Sequence, residues 1–306
     1  MLGIGSRACG PSRRSAALDR LARYLIAVCF CYCAAGCSKD GDPIVPIAPA
    51  GNDVLPRISD AASLLAYQHV ASGANDPRIT GIYVSVIDSL ATRLVVPGYF
   101  QGFAWLPGTD TLIVAASVGI VAVATFDGSS SVLSTHEAFN PSVSSDGRYV
   151  AFDAAVGNKS HLFLLDRYSE LITDPTPDSM LYEFPSWSPL GSELVVVGAT
   201  PTESGLFTIA SDGRPLRQLT QTGGADRSPA WSPTGDAIAW ELVSGSTTTV
   251  WHTDTVGVTQ SALVRSYQGI AWSADGRDLA YSMPTAAGAR IFILNLTTHQ
   301  SRQLTH

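Results

Sequence analysis

The sequence predicts an all-β fold, a six-bladed β-propeller built from four-stranded antiparallel blades. Three observations lead there. A short segment with one turn chemistry recurs six times, each copy is followed by an apolar run in fixed register, and four copies carry an aromatic residue at one later position. Read from an anchor residue, the copies are Ile58-Ser59, Trp105-Leu106-Pro107-Gly108, Val143-Ser144-Ser145-Asp146-Gly147, Trp187-Ser188-Pro189-Leu190-Gly191, Trp231-Ser232-Pro233-Thr234-Gly235 and Trp272-Ser273-Ala274-Asp275-Gly276. The anchors stand 47, 38, 44, 44 and 41 residues apart. That is the length of one propeller blade.

Each element has a local cause. In Ser-Pro-x-Gly the Ser bonds back to the backbone, Pro presets φ, and Gly closes a type I turn, whereas Pro107-Gly108 suits a type II turn. The runs that follow are Leu65-Ala66-Tyr67, Leu112-Ile113-Val114, Val150-Ala151-Phe152, Leu194-Val195-Val196, Ile238-Ala239-Trp240 and Leu279-Ala280-Tyr281. Residues apolar on both faces make a strand covered on both sides, as in stacked blades.

Twenty residues after their anchors, Phe163, Phe207, Trp251 and Phe292 mark a third strand, which the first two copies keep as Ile82-Tyr83-Val84 and Val121-Ala122-Val123. Arg217-Gln218-Leu219-Thr220 and Arg302-Gln303-Leu304-Thr305 form a fourth, 85 residues apart, as are Trp187 and Trp272. A β-sandwich shares the short strands and turns, but it gives no reason for four aromatics at one offset from four anchors. Trp105, Trp187, Trp231 and Trp272 are therefore expected near the ends of the innermost strands, with the four aromatics between blades.

Pro229-Ala230-Trp231-Ser232-Pro233-Thr234-Gly235, running on into Ile238-Ala239-Trp240, and Ala271-Trp272-Ser273-Ala274-Asp275-Gly276 resemble the WD40-like repeat of TolB-type periplasmic propellers. The resemblance covers about residues 57–306 and implies the propeller fold. It selects no function within the family. The first copy departs from the pattern, lacking both Trp and Gly.

The N-terminal residues carry a different message. All five cysteines (Cys9, Cys29, Cys31, Cys33 and Cys37) lie there, and Arg7, Arg13, Arg14, Arg20 and Arg23 precede an apolar stretch from Tyr24 to Gly36. A basic start before a short apolar core describes a secretory signal. Thirteen residues of helix reach roughly 20 Å, short of the ~30 Å hydrocarbon core, which disfavours an uncleaved membrane anchor. Ala34-Ala35-Gly36-Cys37 resembles the lipobox of bacterial lipoproteins, which implies lipidation at Cys37. Ser38 beside it is what that family associates with the outer membrane. A lipoprotein carries several acyl chains, as stable anchoring requires.

The expected organisation is a signal peptide over 1–36, a lipid-anchored tether over 37–56 and the propeller over 57–306. The tether contains Pro43, Pro46, Pro49 and Pro56 and reads as an extended spacer. It leaves no room for the α/β domain that precedes the propeller in TolB itself, and no hydrolase domain is expected after the last copy. Formal charge is −7; removing the signal, with five Arg and Asp19, leaves −7 − 4 = −11. Such acidity argues against nucleic acid and against adhesion to anionic lipid, so the membrane contact is expected through the lipid alone.

The sequence offers little catalytic chemistry. His69, His136, His161, His252, His299 and His306 occupy different repeat positions without metal-ligand spacing, and read as surface or satisfied strand residues. Asp146-Gly147, Asp212-Gly213 and Asp275-Gly276 are turns rather than calcium loops. Asn295-Leu296-Thr297 matches a glycosylation sequon only by chance in a bacterial lipoprotein. No nucleophile elbow, Walker loop or dinucleotide fingerprint occurs.

The expectation is thus a scaffold with no catalytic residue, cofactor or metal. It would bind an envelope protein, peptide or polymer through its blade loops or channel mouth. The loops Tyr99–Gly102, Asp174–Glu183 and Gln221–Arg227 differ most, and Asp174, Asp178 and Glu183 favour a basic or polar partner. The alternative is a propeller enzyme, a metal-assisted lyase or hydrolase on a carbohydrate or lactone, with its site in the channel.

Overall fold

The computed structural model describes residues 51–306, apart from Ala62, 73–79, Asp88, Leu90, Ala91, Ser117, 177–179, 201–203 and 222–224. Six turns of one chemistry divide these residues into six meanders of four strands. The first blade is β1 (Gly51–Ile58), β2 (Leu64–Ala71), β3 (Gly81–Val86) and β4 (Thr92–Pro97). The second is β5 (Gly102–Trp105), β6 (Thr111–Ala116), β7 (Gly119–Ala124) and β8 (Ser130–Ser134). The third is β9 (Phe139–Val143), β10 (Tyr149–Val156), β11 (Lys159–Asp166) and β12 (Ile172–Thr173). The fourth is β13 (Leu181–Trp187), β14 (Glu193–Ala199), β15 (Ser204–Ala210) and β16 (Pro215–Gln218). The fifth is β17 (Ala225–Trp231), β18 (Ala237–Ser244), β19 (Thr247–Asp254) and β20 (Gln260–Ser266). The sixth is β21 (Ile270–Trp272), β22 (Asp278–Thr285), β23 (Gly288–Asn295) and β24 (Ser301–Gln303).

Every sheet pairs its strands antiparallel in chain order. The six first strands touch one another in a closed circle, β1 to β5, β9, β13, β17, β21 and back to β1. They are the innermost strands, and each ends on its anchor residue. The fold is the expected six-bladed propeller.

The turns do what their residues require. Gly147, Gly191, Gly235 and Gly276 donate their N–H to the carbonyls of Ser144, Ser188, Ser232 and Ser273 at 2.8–3.0 Å. All four glycines have φ between 71° and 80°. The same serine hydroxyls accept from Tyr149, Glu193, Ala237 and Asp278, at the start of the second strand. Ser59 does this for Leu64 without a glycine. The departing first copy therefore keeps the part of the motif that starts the next strand. In the second copy Thr109 N–H bonds the Leu106 carbonyl at 3.2 Å with Gly108 at φ 70°, the type II arrangement.

The aromatic at anchor plus twenty is a cross-strand partner. Phe152 pairs with Phe163, Val196 with Phe207, Trp240 with Trp251 and Tyr281 with Phe292. The aromatic pairs have ring centroids 5.5–6.2 Å apart, within the range of favourable ring contacts. Clusters of these side chains fill the spaces between adjacent blades. Trp251 and Phe292 are only half-buried, whereas Phe163 and Phe207 are buried.

Two boundaries differ from expectation. The fourth strands stop at Gln218 and Gln303, before Leu219-Thr220 and Leu304-Thr305. There the Thr220 and Thr305 hydroxyls accept the N–H of Leu206 and Ile291, so a side chain continues the ladder. At the other end β1 begins at Gly51, inside the Pro-rich stretch. Pro56 is tolerated because it lies in a register shift between Val54 and Arg57, where no ladder N–H is needed.

Among the described residues the ring closes without exchanging a strand between the terminal blades. Leu65, Tyr67 and Tyr83 of the first blade pack on Ala271, Ala280 and Ile291 of the sixth. Ala289 N–H bonds Asn52 Oδ1 at 2.8 Å, and Arg290 Nη1 bonds the Gly51 carbonyl at 2.7 Å. Behind this seam Asp53 Oδ1 lies 2.7 Å from His69 Nδ1, with Arg290 Nε 3.9 Å from Asp53 Oδ2.

Candidate functional site: the central channel

The ring encloses a channel that is open at both ends. One end is a cavity of about 430 Å³ lined by the anchors and turns of all six blades. Part of its donors join blades, while the indole N–H groups of Trp187 and Trp231 are buried without a protein partner among the described residues. Trp105 and Trp272 donate their indole N–H to the carbonyls of Arg57 and Ala230, at 3.0 and 2.9 Å. The backbone N–H groups of Trp187 and Trp231 bond the Ser142 and Ser186 hydroxyls, at 3.2 and 3.1 Å.

The opposite mouth, about 480 Å³, is built from loops and hairpin ends. Tyr99, Phe100, Phe139, Phe184 and Tyr267 line it, with Gln101, Arg227, Glu241 and Gln268. Tyr99 and Tyr267 are exposed while Phe100 is buried, so the rim is an aromatic collar with its edges in solvent.

Below the collar every innermost strand bends at the same place. Three residues before each anchor stand Leu55, Gly102, Asn140, Phe184, Ser228 and Gly269, all with φ between 47° and 147°. Four of these are not glycine, an arrangement that costs on the order of 1–3 kcal/mol each and persists only when the surroundings hold it. What holds it is the preceding blade. Leu55 N–H bonds the Gln268 carbonyl at 3.2 Å and Asn140 N–H that of Gln101 at 3.3 Å. Phe184 N–H bonds Asp153 Oδ1 at 3.1 Å, and Gly269 N–H bonds Glu241 Oε2 at 2.9 Å.

Asp153 and Glu241 share one repeat position, ten residues after their anchors, with Gln68 and Ser282 at the same place in other blades. All four are buried. Asp153 also accepts from Asn140 Nδ2 at 3.0 Å, and Glu241 Oε1 accepts from Ser266 Oγ at 2.5 Å. Burial pushes the Asp153 carboxyl up to about 6, against the pull of the Asn140 and Phe184 hydrogen bonds. Burial also raises Glu183 at the mouth, opposed by Arg227.

Halfway down, the channel narrows to a waist of about 80 Å³. Arg57 lines it from the first blade, Ser142 and Ser186 from the third and fourth. The guanidinium donates from Nε to the Phe103 carbonyl at 3.1 Å, and from Nη1 to the carbonyls of Pro56 and Ile270 at 2.8 and 3.3 Å. It lies 5.9 Å from the centroid of the Phe103 ring. Enclosure lowers its pKa to about 10, opposed by the field of Glu241, so it is charged at neutral pH.

The histidines singled out in the sequence do not converge. His69 is buried against Asp53, and His161 against Asp174 Oδ2 at 2.8 Å. His136 is exposed beside Phe163, while His299 and His306 are also exposed. His252 is half-buried, with its pKa lowered by burial and by His299. Among the described residues no group of three His, Cys, Asp or Glu is placed to hold a metal. Asp174 bonds Thr176 as well as His161, so this acid is taken up within its own blade. Asp178 and Cys37 lie outside the described residues. Sequence reading missed Asp153, Glu241 and Arg57, although a polar residue recurring inside an apolar second strand was a signal for the first two.

A ring of six four-stranded meanders around a channel defines a six-bladed β-propeller of short repeats. The chain belongs to the family of TolB beta propeller domains, which matches residues 118–306. Among solved structures it is similar to TolB from Acinetobacter baumannii, at 16% identity and a TM-score of 0.68, covering 85% of this chain and 65% of that one. A protein described as TolB from Agrobacterium tumefaciens matches at 16% identity and 0.65, covering 74% and 87%. An oligogalacturonate lyase from Vibrio parahaemolyticus matches at 11% and 0.58, covering 86% and 80%. At these identities the likeness is one of fold. No curated protein matches the chain.

Proposed function

We propose that this chain is a lipid-anchored cell-envelope propeller that binds a protein, peptide or envelope polymer and performs no catalysis. Residues 1–36 would be removed as a signal peptide, and Cys37 would carry the lipid. Residues after it would tether the ring on the periplasmic side of the outer membrane or at the cell surface. The observation that carries the reading is the contrast between the two channel ends. At the turn end two of the four anchor indoles and two anchor backbone N–H groups join neighbouring blades, whereas the loop end presents an exposed aromatic collar over a polar interior. Aromatic rings at a mouth of this size offer contact area at low entropic cost, as binding surfaces require. Membership of the TolB propeller family supports an envelope location. The enzyme alternative has only the fold likeness to a lyase behind it.

A photo-crosslinking residue placed at Tyr267, on the collar, tests this in cells. The comparison site is Leu190, 88% exposed on the turn end. Discrete crosslinked products from position 267 and none from 190 are expected. Products from 190 alone would overturn the assignment of the binding face.

A further inference from the structure

The waist of the channel holds a cation without a carboxylate in contact. Arg57 bonds three backbone carbonyls through Nε and Nη1, and its second amino group, Nη2, has no partner among the described residues. Facing the same small space, the Ser142 and Ser186 oxygens already accept N–H groups from Trp187 and Trp231. Their hydroxyl hydrogens are therefore left to donate. In a six-membered ring the first and fourth blades stand opposite, so Arg57 and Ser186 approach from two sides. A positive group and two hydroxyl donors line one small space in which no carboxylate bonds the guanidinium.

We propose that this waist is a carboxylate-binding site, in which Arg57, Ser142 and Ser186 receive one carboxylate presented through the aromatic mouth. The proposal rests on the loop end being the binding face and deepens that reading by naming the chemical class of the ligand. A single guanidinium in the field of Glu241 suits a monoanion and disfavours a phosphate dianion. The space of about 80 Å³ takes a group of two or three water volumes. Depth selects the body of the ligand. Tyr267 stands five residues before its anchor and Arg57 one before its own, with the bend three residues before each anchor lying between these two levels. An acid with an apolar body that spans them lays its carboxylate on Arg57 and its body against the collar. Both a peptide C-terminus and a small aryl-alkyl acid meet that description.

The test follows the Arg57 Nε–H resonance by nitrogen-15 NMR in the purified chain, held in detergent if it is lipidated. The additions are 3-phenylpropionate, 3-phenylpropionamide, acetyl-Ala-Ala-Phe with a free carboxylate, the same peptide as its amide, and inorganic phosphate. The expected result is a saturable shift with both acids, at least tenfold weaker or absent with the amides. A tripeptide acid at least tenfold tighter than phenylpropionate identifies a chain terminus, and equal affinities identify a small acid. Ser186→Ala should weaken the acids severalfold while leaving the Arg57 resonance in place. Equal binding of acids and amides, tighter binding of phosphate, or no shift at tens of millimolar acid overturns the proposal. Crosslinking at position 267 with no carboxylate-dependent shift would overturn this inference alone.

Discussion

Asp153→Asn isolates the buried acid that holds a bent innermost strand. In the wild type Asp153 Oδ1 accepts both the Phe184 N–H and Asn140 Nδ2, and an asparagine oxygen can accept the same two bonds. What the substitution removes is the ability to ionise. Burial lifts the carboxyl from 3.8 to about 6, so the folded protein binds its proton more tightly than the unfolded chain does. Stability from this group is then fully present below pH 3.8 and is lost as pH rises towards 6, levelling off above. That lift corresponds to about 3 kcal/mol in all. Roughly 1.4 kcal/mol of that falls between pH 5 and 7.5 by the same linkage. Urea unfolding of both proteins across that range should show Asp153→Asn gaining about this much on the wild type as pH rises. The difference, not either curve, is the readout, because other carboxylates titrate in both. Parallel curves would refute the reasoning and place the Asp153 proton elsewhere.

Phe207→Ala should cost about 3–5 kcal/mol and Phe292→Ala roughly half of that, because the first ring is buried and the second only half-buried; urea midpoints at neutral pH compare them, and equal losses would contradict the packing. Cys37→Ser should abolish labelling with a radioactive fatty acid and leave precursor or soluble protein; undiminished labelling would remove the lipoprotein reading.

The fold could be read from the chain because its causes are local and repeated. The Ser-x-x-Gly turn needs only its own residues, and its four full copies together with two variant ones place every blade. Even Ile58-Ser59 announced its blade, since the Ser59 hydroxyl alone starts the next strand. The fourth-strand ends were read too long because Thr220 and Thr305 work through side chains. The site was harder. Arg57 is one arginine among several in the sequence, and its place in the waist follows from carbonyls of three separate blades meeting around it. The bend three residues before each anchor is equally invisible. Leu55 and Phe184 have no preference for a left-handed backbone and take it because the preceding blade receives their N–H.

The seam between the first and sixth blades has a mechanical meaning. Among the described residues no hydrogen-bonded ladder crosses it, so the ring behaves as a bracelet fastened by a clasp of packed side chains and single bonds made by Asn52, Leu55, Arg57 and Arg290. That clasp grips Gly51 and Asn52, where the described chain enters the ring. A pull applied to the chain ahead of Gly51, such as the proposed lipid anchor would exert, loads the clasp before any other joint. It would draw on β1, which is laddered on one side only, and the remaining five sheets would feel the load last.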